Sequence, residues 1–232
     1  REVALRCAAR GDDLFVVGRD AGKLTALVRE LGDRCLGSIS ADLAHGSENA
    51  ALVEKAIAAL GTIDLAVVAH GLLGDQLESE RSYSAAEEIF IVNLLSAISL
   101  IIPLANQLEQ QRHGTLAVIT SVAADRGRPR NYTYGAAKAA LNVYLQGLRS
   151  RLYGMGVKIV SVRLGPVETP MTVNHEKNAL FAQPGPIAEQ LLSAFDHGRE
   201  DFYLPWYWRP IMSVVRNLPE RIFQRFSFLS GR

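Results

Sequence analysis

The sequence predicts an α/β chain folded around a doubly wound parallel sheet, in a single domain. Three observations carry that expectation. Short runs of Val, Ile and Leu alternate with helical stretches along the whole chain. Those runs are continuous, as in IDLAVVAHG and VKIVSVRLG, so the strands are covered on both faces, which is the habit of parallel sheets. No repeat or linker divides the 232 residues, and 48% of them are apolar, enough for one large core.

Taken in order, Arg1–Arg10 reads as a helix closed by Gly11, and LFVV (Leu14–Val17) as a strand. Ala21–Leu31 carries Leu24, Leu27, Val28 and Leu31 at helical spacing, and RCLGSISADL is strand-like up to Asp42. Ser47 is placed to cap a helix that runs to Leu60, and IDLAVVAHG is a buried strand entering a glycine turn. Ser84–Gln111 reads as a long helix kinked at Pro103. GTLAVITS is a strand, Tyr134–Gly154 a long helix, and VKIVSVRLG a strand. Leu180–Gly198 is helical, and DFYLP forms the last strand. The expected division is residues 1–205 as the catalytic body and 206–232 as an aromatic, Arg-rich tail.

Composition removes several functions. Lys and Arg number 25 against 24 Asp and Glu, a net charge of +1, which argues against nucleic acid as the main partner. Cys7 and Cys35 make no disulfide framework, and with the five scattered His they show no metal-ligand spacing, so a reducing cytoplasmic compartment is expected. No signal peptide is read, nor an apolar run approaching the ~20 residues of a spanning helix.

In doubly wound sheets ligands bind beyond the carboxyl ends of the strands, so chemistry is sought there. YTYGAAKAAL supplies Tyr134 and, one helical turn on, Lys138. The i, i+4 spacing puts both on one face, where an ammonium favours phenolate and lowers the Tyr pKa toward the range of a general acid or base. Ser121 ends the preceding strand and can reach the same pocket. Tyr-x-x-x-Lys alone fits any exposed helix; with a strand-terminal Ser at this distance it is specific. Tyr132 has Ala136, not Lys, four residues on.

With these residues the chain resembles the short-chain dehydrogenase/reductase family over nearly its whole length. The resemblance implies a Rossmann-type fold and hydride transfer between a nicotinamide and a carbonyl or secondary alcohol. Ser121 would hold the carbonyl oxygen, Tyr134 would give or take the proton, and Lys138 would bind the nicotinamide ribose and tune Tyr134. Asn93 in IVNLLSA matches the family Asn that supports a proton-relay water. In RLGPVETPM, Val167 and Thr169 would meet the carboxamide, while Asp42 and Leu43 match the adenine contact. Ala69 and Gly71, within Val68-Ala69-His70-Gly71, would border the cofactor, although of the family's Asn-Asn-Ala-Gly only the glycine remains. Arg19, just beyond the VVG strand end, stands where an Arg accommodates the 2′-phosphate of NADP, so NADP(H) is expected over NAD(H). The resemblance also implies a strand and a glycine-rich phosphate loop ahead of the Arg1–Arg10 helix, roughly 15 residues of a βαβ unit that the sequence does not contain.

Two features bear on substrate and partners. Arg126, Arg128 and Arg130 alternate in the loop between Ser121 and Tyr134, where they could hold a phosphate or carboxylate on the substrate. The same loop would serve as a solvated surface, as part of the NADP phosphate site or as an interface. From Trp206 the tail combines aromatics with Arg, and Ile222, Phe223 and Phe226 share a face. That pattern suits a helix in a membrane interface, and equally a lid over the substrate cleft or a subunit contact. Tail and Arg loop together resemble the reductases of polyprenyl-phosphate sugars, the decaprenylphosphoryl 2-keto-ribose reductase type. This implies a lipid-linked keto substrate at the inner membrane face. The small residues Ala136, Ala137, Ala139 and Ala140 and the family resemblance together imply a homodimer or homotetramer. The alternatives are a non-catalytic scaffold of the same fold and a membrane-bound interaction protein defined by its tail.

Overall fold

Each continuous apolar run forms a parallel strand, and the amphipathic stretches between them form the crossover helices. The computed structural model describes residues 1–173 and 178–225. In chain order the elements are α1 (Glu2–Arg10), β1 (Leu14–Gly18), α2 (Ala21–Leu31), β2 (Cys35–Ser40), α3 (Asn49–Leu60), β3 (Leu65–Val68), α4 (Gln76–Ser79) and α5 (Tyr83–Phe90). They continue with α6 (Ser96–Gln111), β4 (Gly114–Ser121), α7 (Tyr132–Arg151), β5 (Val157–Leu164), α8 (Pro184–Asp196), β6 (Asp201–Leu204), α9 (Trp208–Asn217) and α10 (Glu220–Phe223).

The strands are all parallel and fall into two ladders, β2-β1 and β3-β4-β5-β6, as expected of a doubly wound sheet without its first strand. The split falls between β1 and β3, the place that a doubly wound strand order gives to a strand preceding α1. Side chains still join the two parts: Val17 and Ile39 pack on the cluster built by Val68, Leu116 and Val118 with Leu104 and Ile101. Alternate residues of β4 serve opposite layers. Leu116 and Val118 meet Leu100, Leu108, Leu141 and Leu145 on one face, while Ala117 meets Cys7, Ile187 and Leu191 on the other.

Several local expectations are revised. Asp20 caps α2 by accepting from Lys23 N at 3.0 Å, but Ser47 caps nothing, since a 3₁₀ turn over Gly46–Glu48 leads into α3. Asn49 takes its place as the anchor, its amide donating to Leu43 O and Ser99 Oγ at 2.9 and 2.7 Å. The irregularity of the long helix lies not at Pro103, which α6 carries within it, but in a π turn at Ile91–Leu95. Such turns insert one residue into the ladder and often mark functional positions. The run Tyr83–Gln111 is also long enough to cross a membrane and contains an 18-residue window of mean hydropathy 2.1, contrary to the sequence reading. Here it is a core helix: Ala97, Ile101, Ala105 and Leu108 are buried against the sheet.

The segment after β4 is tied down twice. Asp125 and Arg163 of β5 form an ion pair at 2.5 Å, with their side chains 1% and 11% exposed. Asp125 also accepts from Tyr203 OH at 2.7 Å, and Arg163 reaches Asp201 through Nε and Nη2 at 2.9 and 3.0 Å. The next residue, Arg126, donates to Val215 O and Leu218 O at 2.6 Å each and lies 4.0 Å over the Phe223 ring. Trp208, Met212, Val215 and Phe223 then close a small core on Val122. The apolar face of α9 is therefore buried against the body; of the predicted apolar face in the tail, Phe223 is buried but Ile222 is 43% exposed, and Phe226 lies outside the described residues.

Asp125→Ala leaves a buried guanidinium with one carboxylate in place of two, and is expected to cost about 3 kcal/mol in urea unfolding. Asp125→Asn, which keeps an acceptor for Tyr203, is expected to cost less.

Candidate active site

The carboxyl ends of β3, β4 and β5 open into one cleft of about 790 Å³. Its walls are Ala69, His70 and Gly71 after β3, Ile119 to Ala123 at the end of β4, and Leu164 to Val167 after β5. Tyr134 and Lys138 enter from the first turns of α7, Thr169 from the loop beyond β5, and Trp208 from α9.

Lys138 is the buried charge at its floor, 4% exposed. Its Nζ donates to Ile119 O at 3.2 Å, and burial pulls its pKa down to about 8. Tyr134 is 8% exposed. Burial raises the phenol pKa above its ordinary 10.0, and the neighbouring Ser121 hydroxyl offsets this only in part. This corrects the expectation that Lys138 lowers it. The ammonium lies 5.9 Å from the Tyr134 ring centroid, over the ring face, and desolvation of the phenolate wins. Ser121 Oγ in turn accepts from Ala123 N at 3.1 Å, which fixes the hydroxyl at the strand end.

Asn93 sits in the π turn, buried, with its amide fully used: Oδ1 accepts from Leu72 N at 3.1 Å, and Nδ2 donates to Leu72 O and Ile89 O at 2.6 and 2.8 Å. It positions the turn after β3 against α7. Gly71 allows that approach, since a Cβ there would stand 2.9 Å from Asn93 Oδ1 and 3.5 Å from Lys138 Nζ. His70 lies beside Ser96, Nε2 to Oγ 2.7 Å. Burial first, and then the Lys138 charge, push its pKa down to about 4, so it is neutral at pH 7.

The other predicted residues fall into two groups. Ala69, Gly71, Val167 and Thr169 line the cleft with the Ser121, Tyr134 and Lys138 set. Thr172 Oγ1 donates to Val167 O at 2.7 Å and accepts from Thr169 N at 3.2 Å, which fixes this loop. Arg19, Asp42 and Leu43 stand apart, beyond β1 and β2. Arg19 is exposed, Asp42 accepts from Ala44 N at 3.0 Å, and Leu43 is half-buried against the first core cluster. The three loop arginines are not one cluster. Arg128 and Arg130 line the cleft, but Arg126 is turned to the tail and is spent on the carbonyls of Val215 and Leu218, so it is withdrawn as a substrate residue.

Sequence reasoning missed Asn131 and Trp208, which also line the cleft. Asn131 precedes α7 without using its side chain as a cap. Trp208 reaches the cleft because Gly165 has no side chain: a Cβ there would stand 2.0 Å from Trp208 Nε1.

The described residues fit a nicotinamide nucleotide. A buried ammonium with three N–H donors has one carbonyl within bonding distance among them, and a ribose hydroxyl would satisfy the rest. The arrangement can transfer a proton: a hydroxyl and a phenol line one cleft, in which an oxygen could receive a hydrogen bond from both.

The His70 shift gives a pH dependence. An unfolded His takes up a proton near pH 6.5, whereas the folded one resists until about 4, so stability falls as pH drops through that window. Urea unfolding at pH 7 and pH 5 is expected to show a loss on the order of 2 kcal/mol in the parent that His70→Gln lacks.

The short chain dehydrogenase family model matches residues 1–180. An uncharacterised oxidoreductase of Mycobacterium tuberculosis (strain H37Rv) is 32% identical over 227 residues, 97% of this chain and 91% of that one. Another, from Streptomyces coelicolor, is 33% identical over 205 residues, covering 88% and 79%. Among solved structures, a short-chain dehydrogenase from Streptomyces avermitilis matches with a TM-score of 0.84 at 20% identity, over 99% of this chain and 93% of that one, a likeness of fold. A short chain dehydrogenase/reductase family protein matches with a TM-score of 0.77 at 26% identity, over 87% and 88%. With Ser121, Tyr134 and Lys138 gathered in one cleft at the strand ends, the chain belongs to the short-chain dehydrogenase/reductase family and is an oxidoreductase of Rossmann-type fold.

Proposed function

We propose that the protein is an NADP(H)-dependent reductase of a carbonyl compound. The observation that carries the reading is that Ser121, Tyr134 and the buried Lys138 ammonium line one cleft at the strand ends. The nicotinamide, when bound, supplies or accepts the hydride. Ser121 Oγ and Tyr134 OH both donate to the substrate's carbonyl oxygen. Tyr134, whose burial keeps the phenol protonated, gives its proton to that oxygen as negative charge builds on it. Lys138 then holds the phenolate left behind and the ribose hydroxyls, and Asn93 keeps the turn at Gly71 in register with α7.

Arg19 supports NADP(H), because its exposed guanidinium follows the strand end that a 2′-phosphate would approach. A non-catalytic scaffold has no need of Ser121, Tyr134 and Lys138 in one cleft. In this reading the tail is a cover of the cleft rather than a membrane helix, since Trp208, Met212 and Val215 face inward. The substrate is a small or lipid-linked carbonyl compound. A second copy of the chain is the partner, docked on the exposed apolar face of α7, where Val143 is 67% exposed.

The test is NADPH oxidation by the full chain over a panel of ketones and keto-sugar phosphates. Tyr134→Phe is expected to lower turnover by about 10²–10⁴-fold, the usual worth of a general acid, with NADPH affinity within a few-fold of the parent; an active Phe variant sinks the reading. Arg19→Asp is expected to reverse the preference toward NADH by at least about tenfold in kcat/KM, and an unchanged ratio removes Arg19 from cofactor selection.

A further inference from the structure

A second hollow, of about 380 Å³, lies between β6 and α9 and shares no lining residue with the catalytic cleft. Four arginines reach it: Arg163 from β5, Arg199 from the turn before β6, and Arg209 and Arg216 from α9. Asp201 is the acid in its wall. Like charges gathered in one concavity repel, and a counter-charge that joins them is stabilised.

The acids of this region are spent elsewhere. Arg163 takes up Asp201 at 2.9 Å and Asp125 at 2.5 Å. Glu200 pairs with Arg149 at 3.5 Å, and Glu220 with Arg126 at 2.6 Å. Among the described residues no acid stands within ion-pair distance of Arg199, Arg209 or Arg216. Arg216 has the neutral Tyr203 hydroxyl beside it, which offsets no charge. All three residues are exposed and line the hollow, so a ligand can reach them. The burial of Trp208, Met212 and Val215 holds Arg209 and Arg216, two helical turns apart, on one outward flank of α9.

Charge and shape specify the ligand. Arg163 with its two carboxylates carries one negative charge, and the other three arginines carry three positive ones. The balance of two positive charges matches a phosphate monoester, at about −1.5 to −2 near pH 7, better than a singly charged carboxylate or phosphodiester. Guanidinium forks also suit phosphate oxygens. Trp206 borders the same hollow and is 72% exposed, although tryptophan is a highly buried residue on average. Its indole offers an apolar surface to the group esterified to the phosphate.

We propose that Arg199, Arg209, Arg216 and Trp206 form a binding site for a phosphate monoester, separate from the catalytic cleft, with the phosphoryl group on the arginines and an apolar or aromatic ester group on Trp206. The monoester has two possible sources, a free phosphorylated compound or a lipid phosphate headgroup, and the recognising chemistry is the same for both. The site does not depend on the reductase reading and is tested by binding alone.

The probes are phenyl phosphate, benzoate and inorganic phosphate, titrated by calorimetry into the full chain. Phenyl phosphate is expected to bind at least about tenfold tighter than benzoate, and the Arg209→Gln, Arg216→Gln double variant to weaken it by at least about tenfold. Trp206→Ala is expected to weaken phenyl phosphate about three- to tenfold and to leave inorganic phosphate unchanged. Vesicles of phosphatidylcholine with and without phosphatidic acid separate the sources. Sedimentation of the chain with the phosphatidic acid vesicles alone, lost in the double variant, identifies the lipid source. Phenyl phosphate binding without sedimentation identifies the free one, and either result keeps the site. Equal affinity for phenyl phosphate and benzoate overturns the proposal, as does the absence of phenyl phosphate binding or an affinity that the folded double variant leaves unchanged.

Discussion

The site depends on keeping the ammonium of Lys138 away from water. Desolvation is what brings its pKa down to about 8, and the structure around it is arranged to hold a charge that the fold would otherwise reject. The carbonyl of Ile119 accepts from it. Gly71 lets Asn93 approach where a Cβ would stand 2.9 Å from its Oδ1, and the π turn brings Asn93 to lock that glycine's neighbour, Leu72, in place. His70 stays neutral in part because the ammonium is near. A cation with unspent donors is poorly stabilised alone and strongly stabilised by polyhydroxyl or anionic ligands, so the same burial that costs stability sharpens binding.

A second constraint sits on the substrate side. The residues that follow Ser121 are bolted to the opposite wall by Asp125 with Arg163, and to the tail by Arg126 with Val215 and Leu218. Because the ion pair is buried, its energy depends on geometry rather than on mere proximity. The strand end that presents Ser121, the loop that presents Arg128 and the helix that presents Trp208 are therefore tied to one another through buried contacts.

Much of this was legible in the sequence because it is periodic. The strand runs, the crossover helices, the Tyr134–Lys138 spacing and the strand-terminal Ser121 all follow from one-dimensional patterns, and the structure brings the three residues together. What was not legible depends on three-dimensional neighbours. The alternation of Arg126, Arg128 and Arg130 looks like one cluster, yet the free carbonyls of Val215 and Leu218 at the end of α9 capture the first of them. The expected fall in the Tyr134 pKa counted the charge of Lys138 but not the burial of the phenol, and burial is the larger effect. Trp208 could not be placed because its reach into the cleft rests on Gly165, more than forty residues earlier, having no side chain. The π turn at Asn93 has no sequence signature beyond the asparagine itself.

The direction of the Tyr134 shift bears on how the proposed chemistry runs. A phenol held above its ordinary pKa is a proton donor at rest, ready for the oxygen of a carbonyl as hydride arrives, and a poor base. For the reverse reaction the phenolate must form first, and the nearest charge able to support it is Lys138, itself drawn down to about 8 by burial. Below that pH the lysine is charged and the phenol neutral, the pairing that reduction needs. Burial opposes both charges of the ammonium–phenolate pair that oxidation needs, so anionic or hydroxyl-rich groups bound beside Nζ would favour that pair by stabilising the ammonium.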